Sequence, residues 1–191
     1  AAAIIDAYNG RRPARLATGS TEVYGFTRNR SILAYRANRN ADIEKAEDIR
    51  KAVNPTMHMV RVDCLDTESG AYLPAGALTS FSIHGTTVPS QNTLYNADVF
   101  AYIERELEWE IARKYKTEGF VHAVVNGTHA DNAPDCDPVC QGYRDSRRLG
   151  VGLGRKAVEL FNALAQGLRA DVEVRSALRE IDHYRDGSID G

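Results

Sequence analysis

Through an otherwise charged stretch, Val99, Ile103, Leu107, Ile111 and Tyr115 place an apolar side chain at every fourth position. That spacing dictates an amphipathic helix with one stripe that must be buried against another layer. Asn96 reads as its N-cap and Gly119 as its stop. Phe120-Val-His-Ala-Val-Val125 follows as a short apolar run of buried-strand type. Upstream, Met57-His-Met-Val-Arg-Val-Asp63 alternates with period two. It is separated from Gly76-Ala-Leu-Thr-Ser-Phe-Ser-Ile83 by the turn-rich Asp66-Thr-Glu-Ser-Gly70, which predicts a hairpin. Strand, helix and strand in that order give an α/β fold, a mixed sheet with packed helices and site loops at strand ends. The pattern does not fix the order of the strands.

Flanking segments are read the same way. Residues 1–9 form a short amphipathic helix ended by Gly10, and Arg12-Pro13-Ala-Arg-Leu-Ala leads into a strand. Gly25-Phe-Thr-Arg-Asn-Arg30-Ser31 has loop composition, so Arg30 projects from irregular backbone. Beyond a charged, cysteine-containing insert that runs to Arg148, Val158, Phe161, Leu164, Leu168, Val172 and Leu178 predict one long helix, or two broken near Gly167, to about Tyr184. With 191 residues, 43% of them hydrophobic, and no repeat or linker, the chain suits one domain.

Charge excludes some partners. The net charge of -2, from 24 basic and 26 acidic residues spread along the chain, provides no field for nucleic acid. Arg11, Arg12, Arg15, Arg28, Arg30, Arg36 and Arg39 lack interleaved aromatics and read as a solvated face. No apolar run approaches the roughly 20 residues that cross a bilayer, and Ala1-Ala-Ala-Ile-Ile-Asp6 lacks the basic start of a signal peptide. Of Cys64, Cys136 and Cys140 one stays unpaired. A local Cys136–Cys140 loop suits an oxidising compartment, but three cysteines do not fix one.

Two strand-to-loop junctions, His84-Gly-Thr-Thr and Asn126-Gly-Thr-His129-Ala-Asp131, deliver polar groups beside a glycine, as an active-site rim on a sheet requires. His84 alone is either a hydrogen-bonded structural residue or a metal ligand. His58, His122 and His183 read as structural. Asn29-Arg-Ser and Asn126-Gly-Thr match the glycosylation sequon, but their place in site loops argues against occupancy.

Together these motifs resemble the neutral, non-lysosomal ceramidase family, zinc amidases that cut the N-acyl bond of ceramide. Ala3 to Tyr35, with Arg12-Pro-Ala-Arg15 and Asn29-Arg30-Ser31, is similar to the stretch whose Asn-Arg-Ser arginine lines the catalytic pocket, which implies that place for Arg30. Met59-Val-Arg-Val-Asp63 through Ala77-Leu-Thr-Ser-Phe-Ser-Ile-His84-Gly-Thr-Thr is similar to the strand, turn and strand that end in the family's zinc-ligating histidine. His84 inherits that role. Asn92 to Tyr102, with Leu94 and Asp98, resembles the family's Asn-x-x-Leu-x-x-x-Asp run.

One position departs. Ala130-Asp-Asn-Ala133-Pro-Asp135 occupies the place of the family's Gly-Asp-Val-Ser-Pro-Asn, so Ala133 stands where the catalytic serine belongs. A methyl group is no nucleophile. Water activated by zinc could attack the amide instead, with Arg30 on the oxyanion and His129 or Asp131 handling protons. In the alternative, His129 and Asp131 only hydrogen-bond within their own loop. The resemblance also implies that the other zinc ligands, a histidine, a glutamate and a tyrosine, lie outside this chain. Either residues 1–191 are part of a longer catalytic domain, or the zinc site is absent; the chain as given is expected to be inactive alone. It further implies a role in sphingolipid metabolism, a secreted or cell-surface protein and contact with a membrane surface. A catalytically silent lipid-binding or assembly relative, and a hydrolase of different specificity, are the competing readings.

Overall fold

The structure, a computed structural model, describes residues 2–117, 119–136 and 139–180. Four strands form one sheet in the order β1-β3-β4-β5: β1 (Ala14–Glu22), β3 (Thr56–Leu65), β4 (Tyr72–Phe81) and β5 (Val121–Asn126). The first three pair antiparallel. β5 joins β4 in parallel after the crossover helix α4 (Asp98–Tyr115). A separate ribbon pairs β2 (Thr27–Asn29) with β6 (Asn132–Pro134). Three short helices, α1 (Ala2–Asn9), α2 (Ile32–Ala37) and α3 (Ile43–Ala46), lie in the first third of the chain, and α5 (Tyr143–Ala163) near its end. The α/β reading holds.

The core lies between one face of the sheet and the helix pair α4–α5. Met57, Met59, Phe81 and Ile83 meet Val99, Ile103, Leu107 and Ile111 of α4 and Leu149, Leu153 and Phe161 of α5. On the same sheet face, Arg61 and Asp63 form a buried bidentate pair, both bonds 2.8 Å. Arg61 also donates to the Phe161 carbonyl at 2.9 Å and stacks on the Phe161 ring, so its charge meets the negative C-terminal end of α5. The opposite sheet face leaves Leu78, Val121 and Val125 exposed.

Two glycines bring the helices together. A Cβ at Gly150 would stand 2.5 Å from Tyr102 Cβ and 2.6 Å from the Val99 carbonyl; one at Gly154 would stand 2.5 Å from Glu106 Cβ. The backbone of α5 therefore rests directly on α4 at positions four residues apart.

Several expectations are corrected. The Phe120–Val125 run is an edge strand, with Val121, Ala123 and Val125 exposed. Its outward N–H groups are capped from α4, His122 N by Glu108 and Val124 N by Glu104, each at 3.2 Å. Such caps close an edge to further strand pairing. Asn96 does not cap α4 by its side chain in the expected way. Its Oδ1 accepts from Asp98 N, and the Asp98 carboxylate accepts from Val99 N. Left-handed Lys116 ends that helix before Gly119 is reached. The stretches read wholly as loop at 25–31 and 126–135 contribute the two strands of the β2–β6 ribbon, and α5 begins at Tyr143, inside the expected insert.

The long helix past Gly167 is not formed. A 3-10 turn (Leu164–Gly167) follows α5, and Arg169 then exchanges two 2.9 Å backbone bonds with Leu16, because the free edge of β1 offers unpaired N–H and C=O groups. Val172 and Leu178 are exposed, on chain that belongs to no helix or strand. The expected end near Tyr184, and His183, lie outside the described residues.

His122 is structural, as expected. It is buried and bonded through Nε2 to Thr79 Oγ1 at 2.8 Å. Burial holds its imidazole below the ordinary histidine value. The unfolded chain takes up that proton near pH 6.5 and the folded chain only at lower pH. Stability present at neutral pH is therefore lost as pH falls through 6.5 toward the folded value. Urea midpoints at about pH 7.5 and pH 5.5 should fall further for the native protein than for His122→Gln; equal falls would contradict the burial argument. Gly150→Ala should cost about 1–3 kcal/mol despite alanine's better helix propensity, because the added methyl meets backbone. A melting temperature unchanged in that variant would show that the helices are not in contact there.

Candidate functional site

Three chain segments leave their strands at the same end of the molecule. β2 delivers Arg30, the chain beyond β4 delivers His84, and the chain from β5 into β6 delivers residues 127–133. The backbone carbonyls of the third segment hold the other two. Ala130 O accepts from both Arg30 Nε and His84 Nε2, each at 3.1 Å. Asp131 O accepts from Arg30 N and Asn132 O from His84 N, each at 2.9 Å. Arg30 and His84, 54 positions apart in sequence, thus converge on one carbonyl.

Asn29 explains the presentation of Arg30. Its Oδ1 accepts from Ser31 N at 2.7 Å, a short side-chain turn that brackets Arg30 and faces it outward. Its Nδ2 donates to Ala52 O at 2.7 Å and to Asp131 Oδ2 at 2.8 Å. Asn132 Nδ2 takes the other Asp131 oxygen at 2.7 Å. Asp131 is therefore a brace whose two carboxylate oxygens are already in use, and Asn29, buried and bonded, is closed to glycosylation. Asn54 extends the network, with Nδ2 on Thr128 Oγ1 at 2.7 Å and its backbone N on Asn132 Oδ1 at 2.8 Å.

His129 stands against His84, ring centroids 4.6 Å apart and edge to face. Its Nδ1 donates to Gly127 O at 2.9 Å. That bond fixes the tautomer and leaves the lone pair on Nε2. For His84 the bond from Nε2 to Ala130 O leaves the lone pair on Nδ1. Beside them lies an open cavity of about 630 Å³ whose wall includes Tyr35, Val53, Asn54, Thr128, His129 and Asp131. Ala133 sits in β6 opposite Arg28, whose Nε is buried without a partner among the described residues.

The asparagines and Asp98 were not read as site residues. Asp98 accepts from Thr87 Oγ1 and, at 2.9 Å, from Val88 N, which ties the loop carrying His84 to the start of α4. The sequence signal for Asp98 was its place in the Asn92–Tyr102 run; for Asn54 there was none.

Among the described residues no three His, Cys, Asp or Glu side chains are close enough together to hold a metal ion. His84 and His129 each present one imidazole nitrogen that is not hydrogen-bonded to a described residue, steadied through the other nitrogen, a donor type that suits zinc. They fit as part of a ligand set and fall short of the three or four that zinc sites use.

Comparison with known proteins places the chain by sequence and fold. The neutral ceramidase of Pseudomonas aeruginosa is 28% identical over 181 residues, covering 91% of this chain and 25% of that protein. The crystal structure of the Pseudomonas aeruginosa enzyme superposes with a TM-score of 0.63 at 26% identity, over 82% of this chain and 24% of the other. A ceramidase complexed with C2 gives 0.61 at 25% identity, over 78% and 22%. The chain spans about a quarter of the length of these relatives. The family described as neutral/alkaline non-lysosomal ceramidase, N-terminal, matches residues 1–151, and the chain belongs to that family.

Proposed function

We propose that the whole protein containing this chain is an amidohydrolase that cleaves the N-acyl bond of ceramide or a related lipid amide. The observation that carries this reading is the meeting of His84 and Arg30 on the Ala130 carbonyl, beside an open cavity. Arg30 spends only Nε on that carbonyl, and no side-chain partner is recorded for its two Nη groups among the described residues. Those Nη groups donate to the oxyanion that forms when water attacks the acyl carbonyl carbon. The carbon–nitrogen bond then breaks, the acyl group leaves as a carboxylate and the nitrogen as an amine that has gained a proton.

Zinc, held in part by His84, supplies Lewis acidity to this site when bound. Ala133 removes the hydroxyl route, so water is the nucleophile. With Asp131 fastened by Asn29 and Asn132, the lone pair that the rim adds is His129 Nε2, which serves either proton transfer or metal ligation. The Cys136–Cys140 disulfide, Cα atoms 4.9 Å apart, supports an oxidising compartment and hence a secreted or cell-surface protein. A lipid substrate implies contact with a membrane surface; no helix among the described residues is long and apolar enough to cross a membrane.

A second reading rests on Ala133. With the serine position empty of a hydroxyl, the protein could be a silent relative that binds lipid amides without cutting them.

Incubating the full-length protein with ceramide labelled in its acyl chain tests both. Release of labelled fatty acid is expected, and Arg30→Ala should lower kcat/KM by about a hundredfold, the usual size of one lost oxyanion donor. Ala133→Ser separates the readings. Release by the native protein with little change in the serine variant supports attack by water, whereas release by the serine variant alone supports the silent relative.

A further inference from the structure

We infer that Arg28 determines substrate choice: its guanidinium binds an acidic group, a carboxylate or a phosphate, carried on the amine side of the lipid amide close to the bond that is cut. The inference rests on the hydrolase reading of this site and narrows its substrate class.

The β2–β6 ribbon has one buried face and one open face. Thr27, Asn29, Asn132 and Pro134 are buried, whereas Arg28 and Ala133 are only partly covered. Arg28 is the register partner of Ala133, and side chains directly opposite each other leave an antiparallel pair on the same side. The 2.9 Å bond from Arg30 N to Asp131 O carries the ladder one step further, so Arg30 follows Arg28 at the spacing that returns to the same side of a strand. Two arginines therefore accompany the family's serine position, where this chain has only a methyl group. Residues two apart on a strand are separated by roughly 7 Å, which suits an oxyanion at Arg30 and a second anionic group a few bonds beyond the amide nitrogen at Arg28.

Arg28 lacks the partner that its charge requires. Its Nε is buried without a hydrogen bond, and no ion pair joins its guanidinium to a described residue. The buried Arg61, by contrast, is held by both oxygens of Asp63. Asp135, two positions from Ala133 on β6's continuation, bonds through Oδ2 to Arg50 at 2.8 Å and not to Arg28. A partly buried guanidinium without a counter-ion is unfavourable, and a bound anion removes that cost. The planar fork of arginine matches carboxylate and phosphate oxygens and offers nothing to an amine. Since the acyl end of a lipid amide is an apolar chain, the acidic group belongs to the amine side.

The test gives the full-length protein matched amides of one acyl chain: N-acylglycine against N-acylethanolamine for a carboxylate, and ceramide 1-phosphate against ceramide for a phosphate. Cleavage is read as kcat/KM, and binding of any amide that is not cleaved as Kd by calorimetry. A charge-assisted contact of this kind is worth about ten- to a hundredfold. The expected result is a native preference of that size for the acidic member of at least one pair, and a ratio near one in Arg28→Gln. Arg28→Lys, which keeps the charge and loses the fork, should fall between them and serves if the glutamine variant does not fold. Equal values for both members of both pairs in the native protein overturn the inference, as do a preference that survives in Arg28→Gln and a native protein that takes none of the four amides.

The two measurements separate this inference from the hydrolase reading. Acidic amides bound in preference to neutral ones, with the preference lost in Arg28→Gln, by a native protein that releases no fatty acid leave the role of Arg28 standing without the hydrolase. Ceramide cleaved as readily as its phosphate, and N-acylethanolamine as readily as N-acylglycine, leave the hydrolase standing without that role.

Discussion

The backbone of α5 lies on the backbone of α4 at Gly150 and Gly154, and the remainder of the core is arranged around that contact. Four strands leave only three inter-strand gaps of about 4.8 Å, a narrow platform for two helices that ordinarily keep 8–10 Å between axes. Removing two side chains at the crossing lets both helices bury their stripes on Met57, Met59 and Phe81. The position of α4 then fixes more than the core. Its glutamates cap the edge of β5, and Asp98 near its first turn holds the loop that carries His84.

The site is organised differently, by backbone carbonyls and asparagines. Residues 130–132 present three consecutive carbonyls that take Arg30 Nε, His84 Nε2, Arg30 N and His84 N. Since two of those bonds come from main chain, the geometry survives rotamer changes of the reactive groups. Asn29 does two jobs with one amide, bracketing Arg30 through Oδ1 and fastening the opposite strand through Nδ2. A leucine or alanine in its place would leave Ser31 N and the Ala52 carbonyl without those partners, at a cost of about 1–3 kcal/mol for each polar group left unsatisfied.

What could be read from sequence follows the length scale of the interaction. The α4 stripe and the β3–β4 hairpin are local, and their periods appear in the chain. The β2–β6 ribbon joins residues about a hundred positions apart in two three-residue strands, too short for any period to show. The Val172 and Leu178 spacing suggested helix, but a free β1 edge captured Arg169 first, a tertiary event that no local pattern encodes. The β5 run looked doubly buried because apolar content was its only signal, and content cannot tell an edge strand from a central one. In the site, motif resemblance singled out Arg30 and His84, which the structure brings onto one carbonyl, whereas the role of Asp131 as a brace depends on which asparagines fold against it.

That brace has a chemical consequence. Asp131 is the one carboxylate in the described wall of the cavity, and it is committed to structure. Among the described rim groups, the Nη groups of Arg30, Nδ1 of His84 and Nε2 of His129 are left uncommitted. Such a set has no carboxylate to attack a carbonyl and, with Ala133 in β6, no hydroxyl at the family's serine position either. It can donate hydrogen bonds to a developing oxyanion and offer lone pairs to a proton or a metal. For the hydrolysis proposed above, these nitrogens suit direct attack of water on the bound carbonyl better than a covalent acyl-enzyme, whose acceptor among them is an imidazole.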